Sequence, residues 1–444
     1  MSDSVNAPRK RLVLVELNEI NFDVARRYIE ILRSNGLRQL LAGNAVHTVA
    51  ESRYEEIEPW IQWPSVHSGK SFAEHGLFRL GDIVGAPVAQ VFEELEQRGL
   101  RIGCVSPMNA ENRLSKPAYF IPDPWTSTPS DGSWWSRHLA EAVSQVVNVN
   151  AHHRISARSA MTLALGLVWF ARPKNYDLYL GLVKSIRGAP WRKALLLDLL
   201  LHDVHCRLFL RHDPDFSTIF LNAGAHIQHH YFFNSRAVSG ESLKNPSWYA
   251  PVDVDPVGEM LTVYDRIVSD YLSMPETEVL VATGLSQKPY EHVKFYYRFK
   301  DHSRFLDLVG IKHQAVLPRM TRDFLIKFAT AQDAIAAHTA LAAAHVIGND
   351  LPLFGEIEDR GDELFVTLTY PHEVDHKLQV RFGNQVIALA PHVSFVAIKN
   401  GMHQDKGFAF FTPKVGQFAP AEGAHVKSLY TTIMRFFSVS TVSV

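Results

Sequence analysis

The sequence predicts an α/β fold: a doubly wound, mostly parallel sheet flanked by helices, with a helical insertion and a small antiparallel β element near the C-terminus. Short apolar, partly β-branched runs begin at Leu12, Ser217 and Thr277, and each ends in polar residues, as buried parallel strands do. Helical periodicity fills most of residues 134–210. Alternating segments joined by Gly383-Asn384 are typical of a hairpin.

Composition limits the kind of protein. The 444 residues, 46% hydrophobic and 20% charged, are enough for a large packed core. The net charge of -1 gives no basic surplus that would indicate nucleic acid or an anionic membrane as partner. Two cysteines, Cys104 and Cys206, fit a reducing compartment. The longest apolar stretch, Met161–Ala171, is shorter than the roughly 20 residues that span a bilayer. We therefore expect a soluble cytoplasmic protein without a transmembrane segment. The sequence does not indicate its oligomeric state.

Residues 1–105 read as the first part of the α/β core. The strand Leu12–Leu17 is followed by polar residues and then by a helical pattern from Phe22 to Leu32. The segment Tyr54–Lys70 is dense in aromatic residues, prolines and acids, which predicts irregular structure. A helix over Ala89–Arg98 and a strand over Arg101–Val105 complete a second β-α step.

The pattern of residues 106–212 predicts a mostly helical insert without a strand. This insert could cap the α/β core and supply a binding pocket, with Trp125, Trp134 and Trp135 at the entrance of the pocket. The predicted helices are Trp134–Val149, Ser156–Phe170, Asp177–Ile186 and Trp191–Leu210.

Residues 213–444 read as the second part of the core, with a small antiparallel region at about 352–390. The predicted helices are Glu259–Leu272, Asp323–Val346 and Ala424–Phe437. The predicted strands are Ser217–Leu221, Thr277–Ala282, Glu363–Thr369, Lys377–Leu389 and Val393–Lys399, the last ending in a polar turn over Asn400–Gly407.

Four predicted strands end in polar residues: Glu16/Asn18, Asn222/His226, Thr283/Gln287 and Asn400/His403. In open α/β sheets ligands bind at the carboxyl ends of the strands, so we expect these side chains to form one site. Asn18, Asn222, Thr283 and Gln287 are candidate ligand-binding residues. Glu16 or Glu19 could ligate a cation or act as a base, whereas Asn18 or Asn21 could simply cap a helix.

Three histidines, His226, His229 and His230, follow the strand that starts at Ser217. At spacing i, i+3, i+4 they would share one face of a helix, where neutral imidazoles could ligate a metal or bind an anion. A packed helix face is the alternative. His403, after a predicted Asn-Gly turn, is a candidate partner. Ser65 and His67 could serve as nucleophile and base, although no G-x-S-x-G elbow surrounds them.

Together these positions resemble the alkaline phosphatase superfamily, especially its nucleotide pyrophosphatase/phosphodiesterase branch. The first strand with its polar end is similar to that family's opening strand. Gln62-Trp-Pro-Ser-Val-His-Ser-Gly with Glu74-His-Gly-Leu77 looks like its nucleophile segment. Asn222-x-x-x-His226 has the spacing of its Asp-x-x-x-His metal pair, and Gly401-Met-His403 looks like its late metal histidine. The resemblance implies two metal ions, usually zinc, and a Thr or Ser nucleophile that cleaves phosphate or sulfate esters.

The chain departs from that pattern at most catalytic positions. Asn18 and Asn222 stand where the family has Asp, Gln62 stands at the nucleophile position, and Thr283-Gly284 replaces Asp-His. Only His226 and His403 match directly. The resemblance therefore implies at most one divalent ion, zinc, manganese or magnesium. Its ligands would come from His226, His403, His229, His230 or Glu16, and a site without metal is the alternative.

Two functions follow from this pattern. The first is a phosphate or sulfate ester hydrolase or transferase whose catalytic residues come from Ser65, Gln62, His67 and Glu16. The alternative is a catalytically inactive relative that binds a phosphorylated small molecule, a glycan or a protein partner. The expected binding partner is a phosphorylated or sulfated small molecule or a glycan, with a protein partner only in the alternative, and nucleic acid is not expected.

Overall fold

The structure, a computed structural model, describes residues 9–148, 156–238, 243–318 and 322–438. Within these ranges the chain forms two compact units. Unit 1 takes the described parts of Met1–Ser239, Ser247–Pro289 and Gly401–Val444. Unit 2 takes those of Gly240–Pro246 and Tyr290–Asn400.

The described strands, in chain order, are β1 Leu12–Leu17, β2 Asn44–Val49, β3 Ile102–Val105, β4 Tyr119–Ile121, β5 Phe216–Leu221, β6 Glu278–Ala282, β7 Ser286–Phe299, β8 Ala315–Pro318, β9 Asp323–Lys327, β10 His345–Val346, β11 Phe354–Asp359, β12 Glu363–Leu368, β13 Gln379–Phe382, β14 Gln385–Ala388, β15 Val393–Gln404, β16 Lys406–Phe411 and β17 Ala424–His425.

The described α-helices are α1 Phe22–Leu32, α2 Gly36–Ala42, α3 Pro59–Ser68, α4 Phe72–His75, α5 Val91–Gln97, α6 Trp134–Asn148, α7 Ala157–Phe170, α8 Tyr176–Lys184, α9 Arg192–His212, α10 Ala223–Tyr231, α11 Pro256–Leu272, α12 His302–Leu308, α13 Ala331–Ala342, α14 Pro413–Gly416 and α15 Ser428–Ser438.

Unit 1 is built on an eight-stranded sheet of order β17-β2-β16-β6-β1-β5-β3-β4. Strand β16 runs antiparallel to both neighbours, and the other pairs are parallel. Along β1 the side chains alternate between two cores: Val13 and Val15 face one, and Leu12 and Leu14 face the other. Helices α1, α9, α10 and α11 cover the first face, and α3, α5 and α15 the second. The predicted doubly wound, mostly parallel sheet is confirmed.

Unit 2 holds the small antiparallel sheets. One has the order β11-β12-β9-β8 and the other β10-β13-β14. The predicted hairpin is present, because β13 and β14 pair antiparallel on either side of Gly383-Asn384. Gly383 has φ 54°, a left-handed conformation that favours glycine. A further pair, β7 with β15, carries the chain from unit 1 into unit 2 and back.

The prediction of irregular structure over Tyr54–Lys70 is wrong, because helix α3 occupies Pro59–Ser68. Pro64 lies inside this helix, where a proline costs roughly 3 kcal/mol through its missing N–H and its ring. Every residue from Ile61 to Ser68 is buried. The burial of this helix against the sheet therefore outweighs an unfavourable local sequence.

The predicted helix Asp323–Val346 is also only partly right. Asp323–Lys327 is strand β9, which is paired on both sides by β8 and β12, and helix α13 starts at Ala331. The predicted polar turn over Asn400–Gly407 is the end of β15 followed by β16. In both places pairing with sequence-distant strands decides the structure, which local periodicity does not report.

The segment 106–212 contains β4, an edge strand paired with β3, which the sequence did not predict. Its other regular elements include helices α6 to α9. Val149, the predicted last residue of the helix that starts at Trp134, lies outside the described residues. The division at residues 105 and 212, and a capping role for this segment, stay predictions. Among the helices described, none has the length and apolar character needed to cross a membrane.

Candidate functional site

The polar ends of three neighbouring strands meet at one edge of the unit 1 sheet. The backbone N–H of Asn18 donates to Leu221 O at 3.1 Å, and that of Glu19 donates to Thr283 O at 3.1 Å. The register pairs Leu17 with Leu221 and Glu16 with Ala282. The residues that follow β1, β5 and β6 are therefore held side by side by the sheet itself.

Glu19 lies in a tightly held loop between β1 and α1. Its φ is 60°, a left-handed conformation that is uncommon for a residue with a Cβ. Gln228 of α10 fixes this loop: its Oε1 accepts from Asn21 N at 3.0 Å and its Nε2 donates to Glu19 O at 2.8 Å. Asn21 caps α1 by accepting from the backbone N–H groups of Asp23 and Val24. The loop thus holds the Glu19 carboxylate in place.

Helix α10, which carries the three histidines, is positioned by residues from two other helices. Its N-cap residue Asn222 makes no capping bond with its side chain. Asp198 of α9 instead accepts from Ala223 N at 2.8 Å, and Tyr264 of α11 accepts from Gly224 N at 2.9 Å. Tyr264 also donates to Asp198 at 2.7 Å. These buried contacts satisfy the first N–H groups of α10 and fix its start at the sheet edge.

Glu19, His229 and His403 form the one group of three metal-ligating side chains found in the described residues. Glu19 Oε2 lies 3.0 Å from Nε2 of His229 and 3.0 Å from Nε2 of His403. The two imidazole Nε2 atoms are 3.2 Å apart. Glu19 is buried, whereas His229 and His403 are partly exposed. The three side chains come from the β1–α1 loop, α10 and β15, so the cluster exists only in the folded chain.

Charge holds this cluster together. Burial alone would raise the pKa of Glu19, but the nearby charges of His403 and His229 and their hydrogen bonds keep this pKa well below its usual value. Burial would lower the pKa of His403, but Glu19, with a smaller contribution from Glu58, raises it to about 9. Glu19 therefore presents an anionic carboxylate at neutral pH.

The cluster fits a single divalent ion. Two ligand atoms that each lie about 2.1 Å from one ion are roughly 3.0–3.4 Å from each other at octahedral or tetrahedral angles. Glu19 Oε2 and the Nε2 atoms of His229 and His403 are separated by such distances, 3.0–3.2 Å. Glu58 supplies a further feature of metal sites, because its Oε2 lies 3.4 Å from Nδ1 of His403. A carboxylate on the second nitrogen fixes the orientation of a ligating imidazole. Gln287 donates to Glu19 Oε2 at 2.5 Å and supports the carboxylate from the other side.

Two positions that carry carboxylate ligands in the binuclear sites of the resemblance, Asn18 and Asn222, hold neutral amides in this chain. Trp63 Nε1 donates to Asn18 Oδ1 at 2.8 Å, and Asn18 Nδ2 donates to Asn222 Oδ1 at 2.8 Å and to Glu19 Oε1 at 3.1 Å. The two amides bond to each other where the family has carboxylates. These neutral amides add no negative charge to that of the Glu19 carboxylate.

His226 and His230 lie next to the cluster on α10 rather than within it. Their rings are 4.8 Å apart, as expected for residues at i and i+4. Burial and the neighbouring His229 lower the pKa of His226 to about 4. The sequence paired His226 with His403, but the structure brings His229 to His403, with ring centroids 5.0 Å apart. The ligand roles of His226 and His230 stay predictions.

Glu16 and His67 form a separate pair inside the opposite core. Glu16 Oε1 lies 3.0 Å from His67 Nε2 and accepts from Thr218 Oγ1 at 2.5 Å. Both side chains are at most 1% exposed. Because side chains alternate along β1, Glu16 faces the core that contains Leu12 and Leu14. The structure does not bring Glu16 or His67 to the histidine cluster.

The remaining predicted residues have partners of their own. Ser65 lies within α3, fully buried, where Oγ contacts Ile61 O at 3.3 Å and His75 Nε2 at 3.1 Å. Gln62 donates to Glu56 O at 2.9 Å. Thr283 accepts from Phe408 N at 2.9 Å and so ties β6 to β16. These contacts connect Ser65, Gln62 and Thr283 to the protein interior and leave their catalytic or ligand-binding roles as predictions.

The sequence indicates Glu19 only as an alternative to Glu16, and it does not indicate Glu58 or Gln228. Strand alternation was a usable signal for Glu19, because it assigns Glu16 to the face of Leu12 and Leu14. No sequence signal pointed to Glu58, which lies in the segment predicted to be irregular, at the N-cap of α3. Gly401 is explained only by the structure: a Cβ there would lie 2.7 Å from the backbone oxygen of Gln228 and 2.1 Å from Gln287 Oε1, so this position requires glycine.

Comparison with known proteins gives matches among solved structures only; no protein-family model and no curated protein sequence matches the chain. Phosphonoacetate hydrolase from Sinorhizobium meliloti 1021, in complex with phosphonoacetate, is 12% identical, with 97% of this chain and 96% of that chain covered and a TM-score of 0.44. Thermus thermophilus alkaline phosphatase is 10% identical, with coverages of 97% and 91% and a TM-score of 0.43. Murine ectonucleotide pyrophosphatase/phosphodiesterase 5 is 8% identical, with coverages of 98% and 96% and a TM-score of 0.40.

These matches include an alkaline phosphatase and a nucleotide pyrophosphatase/phosphodiesterase, so the resemblance stated from the sequence recurs among solved structures. The three TM-scores, 0.44, 0.43 and 0.40, lie below 0.5.

Proposed function

We propose that this protein is a metal-dependent hydrolase or transferase that acts on a phosphate or sulfate ester, with one divalent ion held by Glu19, His229 and His403. One observation carries the proposal: three ligand atoms from three separate elements converge to 3.0–3.2 Å of one another. A buried carboxylate and two imidazoles suit zinc or manganese better than magnesium, because magnesium prefers oxygen ligands.

The ion would supply Lewis-acid chemistry by polarising an oxygen of the ester. The residues of the chain then have distinct tasks. Glu58 fixes the ring of His403 so that Nε2 faces Glu19. Gln287 holds the Glu19 carboxylate by donating to Oε2. Asn222, half-buried at the sheet edge, offers a neutral amide N–H to an anionic ester oxygen.

For hydrolysis, a water molecule is the nucleophile in this proposal. The contacts of Ser65 with Ile61 and His75 favour a structural role in α3, because a fully buried hydroxyl has no access to an ester. His226 and His230, adjacent on α10, provide imidazoles for proton transfer or for hydrogen bonds to the leaving group. The substrate class remains a small phosphorylated or sulfated molecule.

The decisive experiment is metal analysis of protein purified without a histidine tag, together with turnover of para-nitrophenyl phosphate, bis-para-nitrophenyl phosphate and para-nitrophenyl sulfate. We expect about one zinc or manganese ion per chain and release of para-nitrophenol from at least one ester. His229→Ala combined with His403→Ala should lose both. His313→Ala combined with His392→Ala, in unit 2, is the matched control and should keep both.

Two results would refute the proposal. The first is metal-free protein whose melting temperature is unchanged by zinc, manganese or magnesium. The second is turnover that survives the double histidine substitution. A rise in melting temperature with nucleotides or sugar phosphates, without turnover of any ester, would support the inactive relative instead. Ser65→Ala tests the nucleophile: turnover should persist if water attacks.

A further inference from the structure

Helix α7 presents an apolar stripe to solvent. Met161, Leu165, Val168 and Trp169 lie at positions i, i+4, i+7 and i+8, so they share one side of the helix. Val168 is 82% exposed and Met161 62%. The opposite side of α7, with Thr162, Gly166 and Phe170, is the one that is buried. A continuous apolar stripe on the exposed side of a helix is unusual for a water-facing surface.

Helix α8 repeats this arrangement. Tyr176, Leu180 and Val183, at i, i+4 and i+7, are exposed, while Tyr179 and Leu182 are buried. Of the twenty exposed large apolar side chains among the described residues, nine lie between 134 and 212. These nine are Trp134, Met161, Leu165, Val168, Trp169, Tyr176, Leu180, Val183 and Leu210. Nearly half of the exposed large apolar side chains in the described part of the chain therefore lie in this one segment.

Tryptophans cluster at the C-terminal end of α7. The ring of Trp169 stacks on Trp135 at 6.3 Å between centroids, and Trp135 meets Trp134 edge to face at 4.7 Å. Trp134 and Trp169 are both about half exposed. Indole rings combine a large apolar area with one N–H donor, which suits the boundary between water and a lipid bilayer.

The same segment carries a strong positive charge. Residues 134–212 contain eleven Lys and Arg against four Asp and Glu, a net charge of +7 in a chain whose total is -1. Among the described residues of this segment only two acids are exposed, Glu141 and Asp177. The exposed bases are Arg137, Arg158, Lys174, Lys184, Arg187, Lys193, Arg207 and Arg211. The balanced composition of the whole chain hides this local surplus.

We propose that the exposed apolar residues of α7 and α8, together with the exposed bases of residues 134–212, bind the surface of a membrane that contains anionic phospholipids. Apolar side chains, indoles and Lys or Arg together match the layers of such a surface, namely acyl chains, interface and phosphate headgroups. A second copy of the chain fits poorly, because two faces of this charge would repel each other. Nucleic acid fits poorly as well, because the face presents aliphatic side chains rather than a basic groove.

Co-sedimentation with vesicles tests the proposal on the full-length protein and is independent of any catalytic activity. We expect binding to vesicles of phosphatidylcholine mixed with phosphatidylglycerol, and much weaker binding to phosphatidylcholine alone. Val168→Asp should weaken binding to the mixed vesicles about tenfold or more, because a charge replaces an apolar contact. Val252→Asp is the matched control, since Val252 is 78% exposed in the same unit but outside this segment.

A second pair of variants tests the charge. Lys184→Glu combined with Arg187→Glu should weaken binding at least about 25-fold, at roughly fivefold for each lost base. Lys300→Glu combined with Lys312→Glu, two exposed bases of unit 2, should leave binding unchanged. Unchanged melting temperatures establish that each variant is folded. Equal binding to both vesicle types, or Val168→Asp binding like wild type, would overturn the proposal. So would a dimer, detected by analytical ultracentrifugation, that Val168→Asp dissociates.

Discussion

Two carboxylates, Glu16 and Glu19, lie three residues apart at the end of β1 and have opposite surroundings. Glu16 pairs with His67 in a core from which solvent is excluded, and its partners are the side chains of His67 and Thr218. Glu19 is buried as well, but it meets His229 and His403, which are partly exposed to solvent. The pair of Glu16 and His67 is enclosed in the core, whereas the group of Glu19, His229 and His403 is partly exposed at the sheet edge.

The difference shows that a carboxylate and a histidine in contact do not by themselves make a site. Alternation along β1 turns Glu16 into the interior, and the left-handed conformation at Glu19 turns its carboxylate toward α10 and β15. The Glu19 cluster differs from the Glu16 pair in two ways: it has a third side chain that can ligate a metal, and two of its side chains are partly exposed to solvent. These two features distinguish a candidate functional cluster from a structural pair. Matched substitutions at the two positions test this distinction directly.

The largest expected effect is on metal binding. Glu19→Ala removes the anionic ligand, so we expect loss of the bound ion and a fall in turnover of about 10³-fold or more, measured by metal analysis and steady-state kinetics. Glu16→Ala should keep the ion but lower the free energy of unfolding by about 3 kcal/mol, because His67 loses its buried partner. A folded Glu16→Ala protein without metal would contradict the distinction between the two carboxylates.

A smaller effect is expected at Glu58. Glu58→Gln keeps the size of the side chain but removes the charge next to Nδ1 of His403. Metal affinity, measured by competition with a chelator, should fall about 10- to 100-fold while the ion still binds at saturation. Glu55→Gln, at an exposed neighbouring position, is the control and should bind like wild type. If Glu58→Gln and wild type bind the metal with equal affinity, Glu58 does not support His403 as a ligand.

The smallest effect concerns acid stability on the enclosed side of the sheet. Burial lowers the pKa of His75 to about 4, against 6.5 for an exposed histidine. The folded protein therefore binds this proton less readily than the unfolded chain. The stabilising contribution is fully present above pH 6.5 and is lost as the pH falls toward 4. Between pH 7 and pH 5 it amounts to about 2 kcal/mol.

His75→Asn keeps an acceptor for Leu77 N but cannot take up a proton. Urea unfolding at pH 7 and pH 5 should therefore show a pH-dependent loss of stability about 2 kcal/mol smaller in the variant than in wild type. Identical pH dependence in both proteins would mean that His75 is not responsible. His338→Asn, at a partly exposed histidine of unit 2, provides the comparison.

The main elements of the fold could be predicted because their signals are local. The apolar runs of β1, β5 and β6 are buried on both faces, and α1 and α11 show regular apolar spacing. The failures share one physical cause. Helix α3 and strands β9 and β16 are stabilised by burial or by pairing with distant segments, which a window of neighbouring residues does not contain.

The site could be predicted as a region but not as a set of ligands. Polar strand ends identified the sheet edge, and the spacing of the histidines identified α10. The choice of His229 rather than His226 depends on where β15 crosses, and that crossing depends on Gly401 lying against Gln287 and Gln228. The hydrogen bonds among Trp63, Asn18 and Asn222 likewise join three elements that no local pattern connects.

The left-handed backbone of Glu19 has a consequence for the adaptability of this protein. Glycine adopts such a conformation without strain, whereas a side chain costs roughly 1–2 kcal/mol there. Burying the carboxylate adds to that cost. Heat tolerance and ligand binding therefore make opposite demands on the same residue. Directed evolution for thermostability alone would tend to replace Glu19, whereas selection for metal retention would keep it and seek compensation elsewhere.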